Sequence, residues 1–455
     1  MTEYILSINF YFYIPLVILA LAAQVLILRK LIFAWFDPLF TYLVFNSFSI
    51  AFVMYLFFDE QIYFVYLITF ILSNIFFITG LILGNKKLGS QPNNFSNLIN
   101  LDYSKDDLLI NNISILKKYS KQLNIILYIC VFILLTANTI LFLQYGSVPL
   151  FSENAEVAKV EFRTGGFGFI YRINDALLPG AIGIILIKIF NPKIQVGKYQ
   201  YLSLILCLLI LIFLALSSGS KGAILLIVNL VFYIYLINKQ FNTKHIYKIN
   251  FYISILFILG ISVVLFILWR ASIAVQYLNV FEALLVRFVG AGDVFYYFYN
   301  YDLINVFDYN PIDYLINSIN PLLSLLRLSE YSTALGERII SEAIGLTTGG
   351  FGANPQHPIE GLIYFGFFGS WIFSLTIGYI VSVIRTRLLL FVLKKPHQLN
   401  LLLYMICAYQ IMKLPVDSNL LLESLYSTVI IGIPIFMYVQ LFFASKSTSV
   451  KQAGK

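Results

Sequence analysis

Residues 123–143, LNIILYICVFILLTANTILFL, decide the fold class, because they form a run of 21 residues without one charged side chain. A helix of this length rises about 30 Å, which is the thickness of the hydrocarbon core of a bilayer. The run shows no alternation of apolar and polar residues, so it indicates a helix rather than a barrel strand. The segment therefore predicts a membrane-spanning helix.

Ten further apolar runs occur along the chain and end at charged residues or at clusters of Gly, Pro and Asn. Sixty per cent of the residues are apolar and 11% are charged, a balance that excludes a water-soluble domain of 455 residues. We therefore predict an all-α, polytopic integral membrane protein, folded as one membrane domain over residues 1–455, with about 11 transmembrane helices. The predicted spans are residues 9–28, 39–58, 62–83, 123–143, 173–190, 201–216, 223–237, 251–269, 361–384, 399–412 and 425–443.

Basic residues are abundant on every second loop, which predicts the orientation of the chain, because Lys and Arg are retained on the cytoplasmic side. With the N-terminus outside and the C-terminus in the cytoplasm, 21 of the 30 basic residues fall inside and 18 of the 22 acidic residues fall outside. The formal charge of +8 is thus the sum of a basic inner face and an acidic outer face. It gives no indication of nucleic-acid binding.

Three hydrophilic segments separate the predicted spans: a cytoplasmic connector at 85–122, an outer loop at 145–172 and a large extracytoplasmic loop at 271–360. The large loop carries apolar residues at helical spacing, yet a twelfth span at 280–299 would move the basic residues from Arg385 onward to the outer face. We therefore expect amphipathic or re-entrant helices at the outer interface, with many Tyr and Phe at headgroup depth.

Arginine is concentrated on the predicted outer face. Only 3 of the 21 inner basic residues are Arg, whereas 6 of the 9 outer ones are. The planar guanidinium binds phosphate or carboxylate oxygens in pairs and keeps its charge, so the outer face is predicted to hold an anion. In the alternative interpretation each arginine reaches the interface or pairs with an outer acid, as Arg287 would with Glu282 or Asp293. The outer basic residues are Arg163, Arg172, Arg270, Arg287, Arg327, Arg338, Lys159, Lys221 and Lys413.

The segment GFGANPQHPIEGLIYFGFFG, residues 350–369, contains the one histidine that is predicted to lie outside, His357. Glu360 follows three residues later, close enough on a helix for both side chains to face one cavity as a proton acceptor and its neighbour. The alternative is that Glu360 caps a helix N-terminus at the interface. The sequence contains no nucleotide-binding loop, metal-ligand spacing or nucleophile elbow, so we predict neither a cofactor nor a metal.

Four stretches carry a resemblance to a known family: GSVPLF at 146–151, LSSGSKGAILL at 216–226, the large outer loop, and HPIEGLIYFGFFG at 357–369. Together with the span pattern, they resemble the bacterial oligosaccharide repeat-unit polymerases of the Wzy type, which make O-antigen and capsular polysaccharides. The last stretch is similar to a histidine-containing loop of the related O-antigen ligases. The family has Ser-Arg-Gly in the short outer turn, where this chain has Ser220, Lys221 and Gly222.

The resemblance implies a metal-independent glycosyltransferase of the bacterial inner membrane, with a fold similar to that of GT-C-type membrane glycosyltransferases and an extracytoplasmic active face. Such enzymes transfer a growing glycan from undecaprenyl diphosphate to a sugar hydroxyl of another lipid-linked repeat unit, and they release polyprenyl diphosphate. The implied partners are the undecaprenyl-diphosphate-linked oligosaccharide, the lipid bilayer and a chain-length regulator protein, but no nucleic acid.

A diphosphate leaving group gains negative charge, which fixed guanidinium groups stabilise in place of a divalent ion. The predicted base near the acceptor hydroxyl is His357 or Glu360, with Glu342 or Asp293 as substitutes. Two rival functions stay open: an O-antigen ligase-like transferase that uses another acceptor, and a flippase or transporter of lipid-linked oligosaccharides. The predicted diphosphate-binding residues are Arg270, Arg287, Arg338, Arg172, Lys221 and Arg163.

Overall fold

The structure of the protein, a computed structural model, is helical, and it contains no strand in the part of the chain that it describes. Eight helices within that part are long and apolar enough to cross a membrane. The predicted all-α, polytopic membrane class is therefore confirmed, while the number of eleven spans and the similarity to GT-C enzymes stay predictions. The described residues are 2–86, 113–152, 168–190, 197–217, 222–240, isolated positions between 254 and 269, 280–307, 309–330, 332–345, 353–394, 398–435 and 437.

The helices of spanning length overlap eight of the predicted runs, and two shorter apolar helices, Leu225–Leu236 and Asn400–Ile411, overlap two more. The predicted span at 251–269 lies for the most part outside the described residues. The eight candidate spans are Phe10–Leu28, Pro38–Phe58, Phe64–Asn85, Leu123–Tyr145, Gly168–Phe190, Lys198–Ser217, Gln356–Val392 and Ser418–Ile435.

Helices of three kinds follow one another along the described chain. The α-helices are α1 Thr2–Ser7, α2 Phe10–Leu28, α3 Pro38–Phe58, α4 Phe64–Lys86, α5 Ile113–Tyr145, α6 Gly168–Phe190, α7 Lys198–Ser217, α8 Gly222–Gln240, α9 Val280–Val289, α10 Pro311–Leu325, α11 Leu335–Ile344, α12 Gln356–Val383, α13 Leu389–Lys394, α14 Gln398–Ile411 and α15 Ser418–Ser427, with a single turn at Asp293–Phe295. Helices of the 3-10 type lie at Pro149–Phe151, Gly290–Gly292 and Leu303–Asn305, and π-helical turns lie at Tyr296–Asn300, Ile384–Leu388 and Thr428–Gly432.

The three predicted loops are described in part. α5 begins at Ile113, so the end of the connector at 85–122 is helical, and residues 87–112 lie outside the described chain. Residues 153–167 of the outer loop lie outside it as well. In the large loop, α9 is followed by 3-10, α and π turns as far as Asn300, so the segment weighed as a twelfth span is not one regular helix.

The chain folds into two compact units. The first comprises Met1–Ser90, Val264–Phe391 and Cys407–Glu423, and the second comprises the remainder. The core of the first unit is aromatic: Phe52 of α3 and Phe70 of α4 are buried together with Phe295, Phe298 and Tyr299 of the turns that follow α9. Large buried rings of this kind supply much of the packing contact that holds helices together.

α12 is a helical hairpin, because its backbone reverses at Gly366 (φ +68°, ψ −172°). The two halves run antiparallel: Gly361 lies against Ser370, and His357 Nδ1 lies 2.8 Å from Ser374 Oγ. We call residues 356–365 the half-helix. The sequence predicted one continuous span at 361–384, and the structure differs because Gly366 takes a conformation that is open almost only to glycine.

The second half of α12 packs against α4 at very short range. A Cβ at Gly378 would overlap the backbone of Phe77, and a Cβ at Gly80 would overlap the backbone of Leu375. Small side chains let helix backbones approach closely, which is the usual way in which helices associate in lipid. The small residues that recur every four positions along α12 are Ser370, Ser374, Gly378 and Ser382.

A buried ion pair holds the π-helical turn after α12. Arg385 Nη2 donates to both carboxylate oxygens of Asp37, at 2.6 and 2.7 Å. Asp37 also accepts hydrogen bonds from the backbone N–H groups of Phe33 and Leu39, so it caps α3 while it holds the arginine. Hydrogen bonds to each carboxylate oxygen offset part of the energy that burying two charges costs.

An amide network joins α2, α3 and α4 inside the first unit. Gln24 Nε2 donates to Ser47 Oγ at 2.8 Å, and Asn46 Nδ2 donates to the side-chain oxygens of Gln24 and Asn74, each at 3.0 Å. All four side chains are buried. In a membrane protein such bonds hold neighbouring helices in register.

The second unit is built around α6, which is apolar and buried over most of its length. Asn138 of α5 and Asn174 of α6 exchange side-chain hydrogen bonds of 2.7 and 3.3 Å. Gly183 of α6 lies against Leu402 of α14, where a Cβ would not fit without movement of the leucine.

Gly378→Ala tests the close packing of α4 and α12. Alanine favours a helix over glycine by about 1 kcal/mol, yet its Cβ would overlap Phe77 here, so we expect a lower melting temperature in detergent. The matched control is Gly290→Ala, because a Cβ at Gly290 meets no atom within 4 Å. The loss of helical circular dichroism on heating follows unfolding. An unchanged or higher melting temperature for Gly378→Ala would contradict the packing.

Candidate functional site

The half-helix begins at Gln356, which the sequence analysis did not single out. Gln356 has a left-handed backbone (φ +52°), a strained conformation for a residue other than glycine. Its side-chain amide donates to Ser49 Oγ at 3.2 Å and to the Ala291 carbonyl oxygen at 2.6 Å. Pro355 and Pro358 on either side were the available sign of a helix start.

Backbone hydrogen bonds also attach the start of the half-helix to the turn between α14 and α15. The N–H of Gln356 donates to the carbonyl oxygen of Val416 at 2.9 Å, and the N–H of His357 donates to that of Pro415 at 3.1 Å. The first N–H groups of a helix have no partner within the helix, so this turn supplies two of the missing acceptors. The position of the half-helix is therefore fixed by residues distant in the sequence.

His357 is buried, with 1% of its surface exposed. Its ring stacks on Phe77 of α4, with centroids 4.7 Å apart and planes at 16°. Nδ1 lies 2.8 Å from Ser374 Oγ, and Nε2 has no hydrogen-bond partner among the described residues. The ring is thus held in a fixed orientation, and its Nε2 atom makes no hydrogen bond within the described chain.

Glu360 lies one helical turn further along the half-helix and is equally buried. Its Oε1 accepts hydrogen bonds from Ser418 Oγ at 2.9 Å and from the Ser418 N–H at 3.2 Å. Ser418 is the first residue of α15, so the carboxyl group lies at the N-terminus of another helix, not of its own. Oε2 has no hydrogen-bond partner within the described chain. His357 and Glu360 therefore bind different elements.

Arg338 of α11 lies on the other side of an aromatic pair. Its Nη1 donates to the Tyr309 hydroxyl at 2.5 Å, and its Nε donates to the Thr333 carbonyl oxygen at 2.9 Å. The ring of Tyr309 stacks on that of Tyr364, with centroids 5.5 Å apart and planes at 13°. Tyr364 lies on the half-helix, one turn after Glu360. We call Arg338, Tyr309, Tyr364, Glu360 and Ser418 the Arg338–Glu360 cluster.

α10 closes this cluster with a polar and an aromatic contact. Asn317 Nδ2 donates to the Tyr364 hydroxyl at 3.2 Å, and the ring of Tyr314 meets that of Tyr364 edge-on at 5.3 Å. Burial and, next in size, the charge of Glu360 raise the pKa of Tyr314 to about 12, so this phenol stays neutral at physiological pH. The cluster thus contains one guanidinium, one carboxyl group, two tyrosines and Ser418, and Tyr314 of α10 packs against it.

The described contacts do not bring the other predicted residues into this cluster. Arg287 is exposed on α9. Desolvation of the half-buried Asp293 raises the pKa of that carboxyl group to about 7, against the smaller lowering effects of a backbone hydrogen bond and of the Arg287 charge. Glu342 is exposed on α11, one turn after Arg338. Arg172 belongs to the second unit, half-buried near the start of α6, with an Nη1 that has no hydrogen-bond partner among the described residues. Arg270, Lys221 and Arg163 lie outside the described residues.

Within the described chain, no group of three or more His, Cys, Asp or Glu side chains is arranged to hold a metal ion. Comparisons with protein families, with curated proteins and with solved structures found no match to this chain. The resemblance to repeat-unit polymerases therefore stays a prediction.

The raised pKa of Asp293 predicts a pH-dependent stability. The carboxyl group has a pKa near 4 in an unfolded chain and about 7 in the folded one. Its ionisation therefore opposes folding. Below about pH 4 the group is protonated in both states and does not change stability. Between about pH 4 and pH 7 the folded protein loses stability as the pH rises, and above about pH 7 the loss stays constant. We expect Asp293→Asn to raise the melting temperature by a few degrees at about pH 8 and to change it little at about pH 4. Glu342→Gln, at an exposed carboxylate, is the control. An Asp293→Asn gain that is equal at both pH values would contradict the raised pKa of this group.

Proposed function

We propose that this protein polymerises polyprenyl-diphosphate-linked oligosaccharide repeat units at the extracytoplasmic face of the bacterial inner membrane. The observation that carries the proposal is the Arg338–Glu360 cluster, which combines a fixed guanidinium with a buried carboxyl group in an all-helical, multi-pass chain. The guanidinium can bind the oxygens of a diphosphate, and the carboxylate can accept the proton of a sugar hydroxyl. The concentration of arginine on the predicted outer face adds support.

In the proposed reaction, a sugar hydroxyl of the acceptor unit attacks the anomeric carbon of the growing chain. The Oε2 atom of Glu360 takes the hydroxyl proton, because Ser418 occupies Oε1 with two hydrogen bonds. The bond between the anomeric carbon and the diphosphate oxygen breaks, and the polyprenyl diphosphate leaves with the electron pair. The new glycosidic bond joins the two glycans, and the proton stays on the carboxyl group until it passes to water.

Arg338 is suited to the leaving group because its bonds to Tyr309 and Thr333 use two of its N–H groups and fix the guanidinium plane. The remaining N–H groups can bind diphosphate oxygens, whose negative charge grows as the bond breaks. Arg270, Lys221 and Arg163, which lie outside the described residues, stay candidates for this charge. The aromatic residues of the large loop offer ring faces against which sugars can pack.

The roles of Arg338 and Glu360 are tested by substitution. We expect Arg338→Ala and Glu360→Gln each to reduce polymer formation about 100-fold or more, because each removes a group that acts in the transition state. The matched controls are Lys198→Gln and Glu330→Gln, which remove one positive and one negative charge at exposed positions. Polymer ladders are read on gels of lipid-linked glycans, after folding has been checked by melting temperature. Wild-type ladders from both site variants would refute the assignment.

The function itself is tested with the purified full chain in lipid vesicles and a synthetic polyprenyl-diphosphate repeat unit. We expect a ladder of lipid-linked products without added metal or nucleotide. Transfer of the glycan to a second acceptor without a ladder would indicate the ligase-like function. Passage of the lipid-linked unit across the bilayer, without any transfer, would indicate a transporter.

A further inference from the structure

α10 is an amphipathic helix whose apolar face is exposed and whose polar face is turned inward. A helix in a water-soluble protein has the reverse arrangement. Its exposed face is aliphatic: Ile312, Leu315, Ile316 and Ile319 have 66%, 60%, 58% and 46% of their surface exposed. These positions follow the i, i+3, i+4, i+7 spacing of one helix face. We call them the aliphatic stripe.

The inward face of α10 carries the polar groups. Asn317 donates to Tyr364 of the half-helix, and Asn320 bonds to the residues that follow α10. In water, a helix would turn these amides outward and the aliphatic stripe inward. At 15 residues α10 is about 22 Å long, too short to cross a bilayer. A helix with this polarity and length fits a position along one leaflet of the membrane.

The loop after α10 is ordered by Asn320. Its Oδ1 accepts hydrogen bonds from the N–H and Oγ of Ser332 at 2.8 and 3.0 Å, and its Nδ2 donates to the Glu330 carbonyl oxygen at 3.0 Å. The first residues of the loop cap the C-terminus of α10: the N–H of Leu328 donates to the Leu323 carbonyl oxygen at 2.8 Å. Hydrogen bonds from Asn320 of α10 therefore fix the conformation of the loop.

Arg327 occupies the left-handed position of this helix end (φ +57°), where glycine is the usual residue. A strained backbone at a residue other than glycine is a sign that the side chain is needed there. The neighbours of Arg327 are two exposed leucines: Leu326 and Leu328 have 49% and 71% of their surface exposed. Leu328 stands where the end of a helix usually packs an apolar residue against its own last turn.

We propose that the aliphatic stripe, Leu326 and Leu328 contact the acyl chains of bilayer phospholipids, and that Arg327 binds their headgroup phosphate. The apolar side chains provide a surface without charge, and the guanidinium at its end matches a phosphate in charge and shape. The spanning helices already place this chain in lipid, so the surface continues an existing contact. The inference does not depend on the proposed glycan polymerisation.

One consequence concerns the position of the Arg338–Glu360 cluster. α10 has lipid on one face and Tyr364 on the other, so the cluster lies one helix diameter, about 10 Å, from the acyl region. α10 thus separates the cluster from the acyl chains.

The aliphatic stripe is tested by placing a fluorescent label at Ile316→Cys, with Glu330→Cys in the exposed part of the following loop as the control. The labelled wild-type chain measures the contribution of its three native cysteines. In vesicles, we expect lipids brominated on their acyl chains to quench the label at 316 and aqueous iodide not to quench it, with the opposite result at 330. Quenching of the label at 316 by iodide, or by neither agent, would overturn the proposal, because water or a protein would then cover the stripe.

The role of Arg327 is tested by melting temperature in a sugar-headgroup detergent, with and without added phosphatidylglycerol. We expect the lipid to raise the melting temperature of the wild type by a few degrees and Arg327→Gln to lose at least half of that shift, while Glu330→Gln keeps it. Arg327→Gly separates folding from lipid binding: it relieves the backbone strain and should melt higher without lipid, yet lose the same part of the shift. A full lipid response in both Arg327 variants would refute the assignment, as would an equal wild-type shift with inorganic phosphate.

Discussion

Two backbone hydrogen bonds, from the N–H groups of Gln356 and His357 to the carbonyl oxygens of Val416 and Pro415, fix the start of the half-helix. Without them a short helix inside the fold would begin with unsatisfied donors, which a buried or lipid-facing environment penalises strongly. Glu360 and Tyr364 follow one and two turns later, and their positions depend on this attachment. The strained backbone of Gln356 persists because several elements hold it at once.

The sequence was sufficient to predict the class of the fold and the approximate places of most spanning helices, because apolar length is a local property. It was not sufficient to predict the hairpin in α12. The run around Gly366 is as apolar as a straight span, and its reversal depends on the fit of Gly361 against Ser370 and of Gly378 against α4. Contacts of this kind depend on shape across two helices, and hydropathy contains no information about shape.

The candidate site was predictable as single residues but not as a cluster. His357, Glu360 and Arg338 could be chosen by residue type and predicted side of the membrane. Tyr309 and Tyr364, which lie between Arg338 and Glu360, are two of 32 tyrosines, and nothing local distinguishes them from the aromatic residues of a membrane interface. Ser418 and the acceptor of the Gln356 side chain, Ser49, lie far from the half-helix in sequence, so their roles appear only when the chain is folded.

α12 is held at both of its ends, by the turn before α15 at Gln356 and by the Asp37 carboxylate at Arg385. The contact of Gly361 with Ser370 holds its two halves together between these attachments. We therefore expect a movement that admits or releases a ligand in the first unit to occur in α10, α11 and the loops around them. The hairpin would then stay in place while these more weakly held elements move.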